Sequence, residues 1–160
     1  MKSEKLQDVK LHGWQQNIVD AIEKHEEARE SEQYQGLADY SINRSLGVVV
    51  AYPRGSGHTY LCNYLAAKYP SVLIYRNMED FKTLSSRFQL HAGTDTMSMY
   101  EIYYALHKPD LRQPSPEYLA LRKRFDNKKL IILDAAMSAP EDVKNFLYQV
   151  AQGIVLFLGH

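Results

Sequence analysis

Short apolar runs alternate with longer segments of mixed polarity along the chain. LGVVVAY at 46–52, SVLIYR at 71–76, LIILD at 130–134 and GIVLFLG at 153–159 have the length and apolar continuity of strands buried on both faces. A fifth, shorter strand is predicted around 94–97. Because helical segments separate these runs, the order predicts βαβ units and an α/β fold of about five mostly parallel strands with helices on both faces.

The helical segments have recognisable starts and stops. Ser98 with Glu101 has the spacing of a capping box, and so has Ser138 with Glu141. Ser115 precedes a proline at the first helical position, which is a typical helix start. Apolar residues at helical intervals then predict helices over 5–29, with Gly13 dividing the stretch, and over 61–69, 77–88, 98–106, 115–125 and 138–152.

The length of 160 residues is typical of one domain. We expect an N-terminal helical segment over 1–30 packed on a core over 46–160, with a connector over 31–45 that shows no sustained period. A connector this long is usually functional or disordered. We expect the connector to form a protein interface together with exposed tyrosines. The alternative is a mobile loop and a helix with one tyrosine face in the core. The tyrosines concerned are Tyr34, Tyr40, Tyr100, Tyr103 and Tyr104.

Charge and cysteine content limit the classes of partner. Lys and Arg total 19 and balance 19 Asp and Glu, which excludes strong chain-wide attraction to nucleic acid. The densest basic stretch, Arg122 to Arg124 with Lys123 between them, predicts weak, salt-sensitive nucleic-acid binding at best, or a solvated face. The single cysteine, Cys62, predicts a reducing, cytoplasmic setting, and we expect no membrane span and no targeting segment.

The segment VVVAYPRGSGHTYL has the parts of a phosphate-binding loop: a strand, a glycine turn and a helix start. Against the pattern G-x-x-x-x-G-K-[ST], Thr59 takes the hydroxyl position, His58 replaces the lysine and Tyr52 replaces the first glycine. The hydroxyl of this pattern binds Mg²⁺. The predicted nucleotide-binding residues of the loop are Pro53, Gly55, Ser56, Gly57, His58, Thr59 and Tyr60.

Asp134 is the second chemical feature, because it ends the apolar run LIILD. A carboxylate at the tip of a buried strand next to the loop strand can bind Mg²⁺ directly or through water. Thr59 and Asp134 are therefore the predicted magnesium ligands, and the alternative for Asp134 is a cap on the following loop. His160 follows the last strand, where it is either a polar sensor of the γ-phosphate or a disordered terminus.

Taken together, these segments resemble the ATPase core of nucleic-acid motors. The likeness is strongest to the large terminase subunits of tailed phages, and weaker to superfamily-two helicases and viral rolling-circle replication helicases. It implies a three-layer P-loop fold that binds ATP or another NTP with magnesium. The strings that carry it are LHGWQQNIVDAI, GVVVAYPRGSGHTYL, LIILDAA and IVLFLGH.

The resemblance also implies roles for individual residues. Gln15, with Gln16 as the weaker alternative, would contact adenine, and Arg54 would act on the γ-phosphate in cis beside His58. Ala135 stands where hydrolytic members carry a glutamate. The implied function is a degenerate nucleotide-binding protein of phage or viral type with weak or no hydrolysis, serving DNA packaging or replication. The alternative is a catalytically inactive pseudo-ATPase that acts as a protein-binding regulator or adaptor, alone or as a homo-oligomer.

Overall fold

A five-stranded parallel sheet forms the centre of the molecule. Its strand order is β1-β5-β4-β2-β3, and every neighbouring pair is parallel, which confirms the predicted α/β class. The strands are β1 (Gly47–Val50), β2 (Ser71–Tyr75), β3 (Asp95–Ser98), β4 (Leu130–Asp134) and β5 (Ile154–Leu158). The computed structural model describes residues 5–30, 47–50, 57–76, 82, 88–107, 114–134, 139–151 and 153–158.

Five α-helices and one 3-10 turn accompany the sheet in the described part of the chain. The predicted helix over 5–29 begins only at Gly13, and a 3-10 turn at Leu6–Asp8 precedes it. The predicted helix over 77–88 lies almost entirely outside the described residues. The α-helices are α1 (Gly13–Glu30), α2 (His58–Lys68), α3 (Met99–His107), α4 (Pro116–Lys123) and α5 (Glu141–Val150).

The side chains of β2, β4 and β5 are almost all buried, which explains the continuous apolar runs of these three strands, whereas Met97 is the one buried residue of β3. Leu130 and Ile132 of β4 belong to one apolar cluster with residues of α1 and α2. Ile131 and Leu133 belong to a second cluster with residues of α3, α4 and α5. Because successive side chains of a strand point to opposite faces, the two clusters lie on opposite sides of the sheet.

Two of the three predicted helix starts are confirmed. Ser98 N donates to Glu101 Oε2 at 2.7 Å and Glu101 N donates to Ser98 Oγ at 3.2 Å, which is a complete capping box. Ser115 Oγ accepts from Tyr118 N at 3.2 Å. The third prediction is wrong, because α5 begins with Pro140 at its N-cap rather than at position 138. A start at position 138 would place a helical residue directly before the proline, which is sterically disfavoured.

Candidate functional site

The predicted magnesium ligands lie at the carboxyl edge of the sheet. The two strands that lead to them are not direct neighbours, which differs from the prediction. Asp134 pairs in register with Leu158, and Leu158 pairs with Val50 at the end of β1. β5 therefore lies between the loop strand and β4, which makes the predicted adjacency wrong. Two strand spacings separate β1 from β4 by about 10 Å.

Helix α2 closes this gap from one face of the sheet. Thr59 lies in its first turn, and its Oγ1 is 3.5 Å from Asp134 Oδ1. Both side chains are partly exposed. Asn63, one turn further along the same helix, donates from Nδ2 to the carbonyl oxygen of Thr59 at 2.9 Å. The structure therefore brings Thr59 and Asp134 together, although 75 residues separate them in the chain, and their role as magnesium ligands stays a prediction.

The start of α2 needs a glycine. Gly57 is its N-cap, with φ 91° and ψ 15° in the left-handed region, and its carbonyl accepts the first helical hydrogen bond from Leu61 N at 3.1 Å. The next three amide N–H groups have no partner within the helix and add to its positive end, which favours an anion there. Of the loop residues that were predicted to bind phosphate, those at the start of α2 therefore have their amides beside Thr59.

Asp134 also influences the protonation state of the single cysteine. Cys62 is fully buried, and burial raises the pKa of its thiol well above the ordinary value, with the negative charge of Asp134 as the second cause. A buried thiol whose pKa is raised stays protonated at neutral pH. Cys62 is therefore a core residue beside the site and not a nucleophile.

The oxygen pair fits the requirements of Mg²⁺. This ion prefers oxygen ligands and is usually held by one or two carboxylates together with water and substrate phosphates. Mg–O bonds of about 2.1 Å at right angles place neighbouring ligand oxygens about 3 Å apart. Because Thr59 Oγ1 and Asp134 Oδ1 are 3.5 Å apart, a small side-chain rotation would let both bind one ion.

Of the two predicted adenine-contacting glutamines, one reaches the loop. Gln15 Nε2 donates to the carbonyl oxygen of Gly57 at 2.9 Å, and its side chain is buried. Gln16 is exposed, and its Nε2 donates to Asp20 Oδ1 at 2.9 Å. The W-Q pair before the loop therefore brings Gln15 to the site, whereas Gln16 belongs to the solvent face of α1.

Several predicted site residues lie outside the described part of the chain. His58 begins α2, but its side chain is not among those that the structure describes, so its role next to the phosphates stays a prediction. The same holds for the connector over 31–45 with Tyr34 and Tyr40. The other predicted positions outside the described residues are Pro53, Arg54, Gly55, Ser56, Ala135 and His160.

The basic stretch lies at the opposite edge of the sheet, where α4 leads into β4. Arg124 donates to both carboxylate oxygens of Asp95, at 2.7 and 2.9 Å, and to the carbonyl oxygen of Thr96 at 3.1 Å. Its guanidinium is therefore engaged by the edge strand β3. The hydrogen bonds from Arg124 are the main reason why the pKa of Asp95 is lowered. Arg122 and Lys123 are exposed.

No sequence signal indicates the contact between Arg124 and Asp95. The two residues are 29 positions apart, and no motif links a basic run to an isolated aspartate. The Arg122 guanidinium lies 5.9 Å from the centre of the Tyr118 ring, within cation–π range. Arg122 and Lys123 also line a groove of about 440 Å³ between α4 and α5. Of the predicted nucleic-acid residues, these two remain available at the surface.

Comparisons with known proteins add no family assignment. The chain matches no protein-family model and no curated protein. Among the described helices, none is both long and apolar enough to cross a bilayer. In the same part of the chain, no three His, Cys, Asp or Glu side chains gather as a metal cluster, so the candidate cation site depends on one carboxylate and one hydroxyl.

Proposed function

We propose that this chain is a P-loop nucleotide-binding protein with a three-layer fold, related to the terminase and helicase ATPases of phages and viruses. The approach of Thr59 Oγ1 to Asp134 Oδ1, at 3.5 Å on the carboxyl edge of a parallel sheet, carries the proposal. Ligands of open α/β sheets bind outside this edge. A hydroxyl from the loop helix and an aspartate from a central strand are the magnesium ligands of P-loop NTPases.

The ligand of the proposed site is ATP or another NTP with magnesium. The amides of the first turn of α2, together with the helix dipole, bind phosphate oxygens, with Gly57 giving the backbone the turn that it needs. Thr59 and Asp134 hold the ion. Bound Mg²⁺ supplies the positive charge that offsets the β- and γ-phosphates.

Hydrolysis in the proposed site is weak or absent. His58 stands in place of the lysine that reaches the β/γ-phosphates, and an unperturbed imidazole is shorter and mostly uncharged at neutral pH. Ala135 has a methyl group where a water-orienting glutamate would stand. Arg54 is the remaining candidate for stabilising charge on the γ-phosphate, which makes Arg54 and His58 the proposed catalytic pair.

A second candidate function is that of a catalytically inactive, protein-binding adaptor. The observation that favours it is the exposed tyrosine face of α3, where the exposed fractions of Tyr100 and Tyr104 are 57% and 68%. Tyrosines of this kind offer large contact area at low entropy cost. The partner is a second protein or another copy of the chain. Nucleic acid, bound weakly through Arg122 and Lys123, is a lesser partner.

Calorimetric titration with ATP and magnesium tests the nucleotide proposal. We expect weak binding by the wild type, tighter binding by His58→Lys, whose ammonium can reach the phosphates, and weaker binding by Thr59→Val. Thr96→Val is the matched control, because it makes the same change in β3 and away from the site. No detectable heat at millimolar ATP, in the wild type and in His58→Lys alike, would overturn the proposal.

A further inference from the structure

The Gln15 side chain is tied at both ends. It is the third residue of α1, and its exposed fraction is 1%. Oε1 accepts from His12 N at 2.9 Å, which is the glutamine half of a capping box, since Gln16 N donates to His12 O at 2.9 Å to begin the helix. Nε2 donates to the Gly57 carbonyl oxygen at 2.9 Å. The start of α1 and the start of α2 therefore share one amide.

The orientation of this amide is fixed by its partners. His12 N is a donor and Gly57 O is an acceptor, so the reverse placement would set donor against donor and acceptor against acceptor. Bidentate recognition of adenine by a glutamine uses the same two groups, the amide oxygen and one N–H. With both engaged and the side chain buried, Gln15 presents neither group to a base.

At the start of α2, Gln15 fixes the orientation of the Gly57–His58 peptide plane. The Gly57 carbonyl accepts from Gln15 Nε2 and from Leu61 N, and a Cβ at Gly57 would lie 3.0 Å from Gln15 Nε2. In a planar trans peptide the carbonyl and the following N–H point in opposite directions. Fixing the Gly57 carbonyl toward Gln15 therefore fixes the direction of the His58 N–H, the first amide of α2.

We infer that Gln15 is a positioning residue for the triphosphate and not a reader of adenine. It orients the Gly57–His58 peptide so that the His58 N–H faces the phosphates, an assignment that rests on the proposed nucleotide site. The expected ligand preference follows directly. A site that is built around the loop amides discriminates by phosphate chain, so Gln15 contributes equally to ATP, GTP and inorganic tripolyphosphate.

Calorimetric affinities for these three ligands with magnesium separate the two roles. We expect Gln15→Met and Gln15→Glu to weaken all three by the same factor, about tenfold, because each removes the donor to the Gly57 carbonyl. Gln16→Met, the neighbouring and exposed glutamine, leaves all three unchanged. A loss confined to ATP, or unchanged affinity for every ligand in a folded Gln15 variant, would overturn the inference.

Amide hydrogen exchange provides a readout that needs no ligand. Gln15→Met should accelerate exchange at His12 and Leu61 severalfold, whereas Gln15→Glu, which keeps an acceptor for His12 N, should accelerate Leu61 alone. If this pattern appears while the wild type binds none of the three ligands, the proposed function fails and the bracing of the loop by Gln15 stands. Unchanged exchange at Leu61 in both variants overturns the inference, whether or not nucleotide binds.

Discussion

The two edges of the sheet satisfy their polar groups in different ways. At the amino edge, Thr94 Oγ1 accepts from Ser71 N at 3.1 Å and approaches the carbonyl oxygens of Ala66 and Tyr69 at 2.7 and 3.0 Å. Backbone bonds close the same edge, with Lys129 N donating to the Pro70 carbonyl at 2.8 Å. Short bonds among partly or fully buried groups mark this edge as structural.

At the carboxyl edge, the Thr59 to Asp134 approach is longer, at 3.5 Å, and both side chains are partly exposed. A hydrogen bond of that length contributes little to stability. The comparison indicates a division of labour in which the amino edge holds the fold together and the weakly bonded Thr59 and Asp134 pair at the carboxyl edge serves the proposed ligand. Variants at the two edges test this division. A variant at the amino edge should change only the free energy of unfolding, and a variant at the carboxyl edge should change only the affinity for ATP with magnesium.

The largest effect on stability is expected at Thr94. Thr94→Val keeps the shape of the side chain but removes the hydroxyl and leaves Ser71 N without its acceptor, so we expect a loss of about 2 kcal/mol in the free energy of unfolding. Urea denaturation measures this loss, and ATP affinity should not change. Thr96→Val makes the same substitution two residues later as a control. Equal stabilities of the two variants would contradict the structural role of Thr94.

The reverse outcome is expected for Asp134. Asp134→Asn removes one negative ligand of the proposed ion, so the affinity for ATP with magnesium should fall about tenfold, while the free energy of unfolding should change by less than about 0.5 kcal/mol. Combining it with Thr59→Val should cost less than the sum of the two single losses, because both residues serve one ion. Full additivity, or a loss that persists when magnesium is left out, would break the proposed pairing.

The sequence could predict the features that have a local signature. Continuous apolar runs indicated the strands, and the capping-box spacing of Ser98 and Glu101 indicated the start of α3. The Thr59 and Asp134 pair was also predictable, since a hydroxyl after a glycine turn and a carboxylate at a strand end both belong to the carboxyl edge of a parallel sheet. Edge membership follows from strand direction, which the βαβ order determines.

Strand order and long-range polar contacts were not predictable in the same way. The apolar runs do not indicate that β5 lies between β1 and β4, because all three have similar composition. The strand order depends on how the helices pack. The contact from Gln15 to Gly57 spans 42 residues, and that from Arg124 to Asp95 spans 29. Such contacts are set by tertiary geometry, so a motif can suggest a residue's neighbourhood but not its partner.

The ion pair of Arg124 and Asp95 lies at the amino edge, and its contribution to the stability of the fold depends on pH. Hydrogen bonds from Arg124 lower the pKa of Asp95 below its ordinary 3.8, so the pair stabilises the fold above pH 3.8, and this stabilisation is lost as the pH falls through the folded-state pKa. Asp95→Asn should therefore cost about 1 kcal/mol at neutral pH, since the pair is bidentate but about one-third exposed.

Urea denaturation at a series of pH values measures the contribution of Asp95. The stability difference between the wild type and Asp95→Asn should be constant from pH 7 to about pH 5 and should shrink below pH 3.8. Asp126→Asn serves as a control, because it lies after the same helix and is exposed. A difference that persists unchanged at the lowest pH would show that Asp95 acts through its shape and not through its charge.

A small effect on stability is also expected for the exposed tyrosines of α3. Tyr104 is 68% exposed and meets Tyr103 edge to face, with ring centres 6.2 Å apart, whereas Ile102 on the same helix is fully buried. Tyr104→Ala should therefore change the free energy of unfolding by less than about 0.5 kcal/mol, against about 1 kcal/mol for Ile102→Val.

If the adaptor function holds, Tyr104→Ala combined with Tyr100→Ala should weaken association in sedimentation experiments without unfolding the chain. A folded double variant that keeps every association of the wild type would refute the interface, and a stability loss above about 1 kcal/mol would show that these tyrosines support the fold instead.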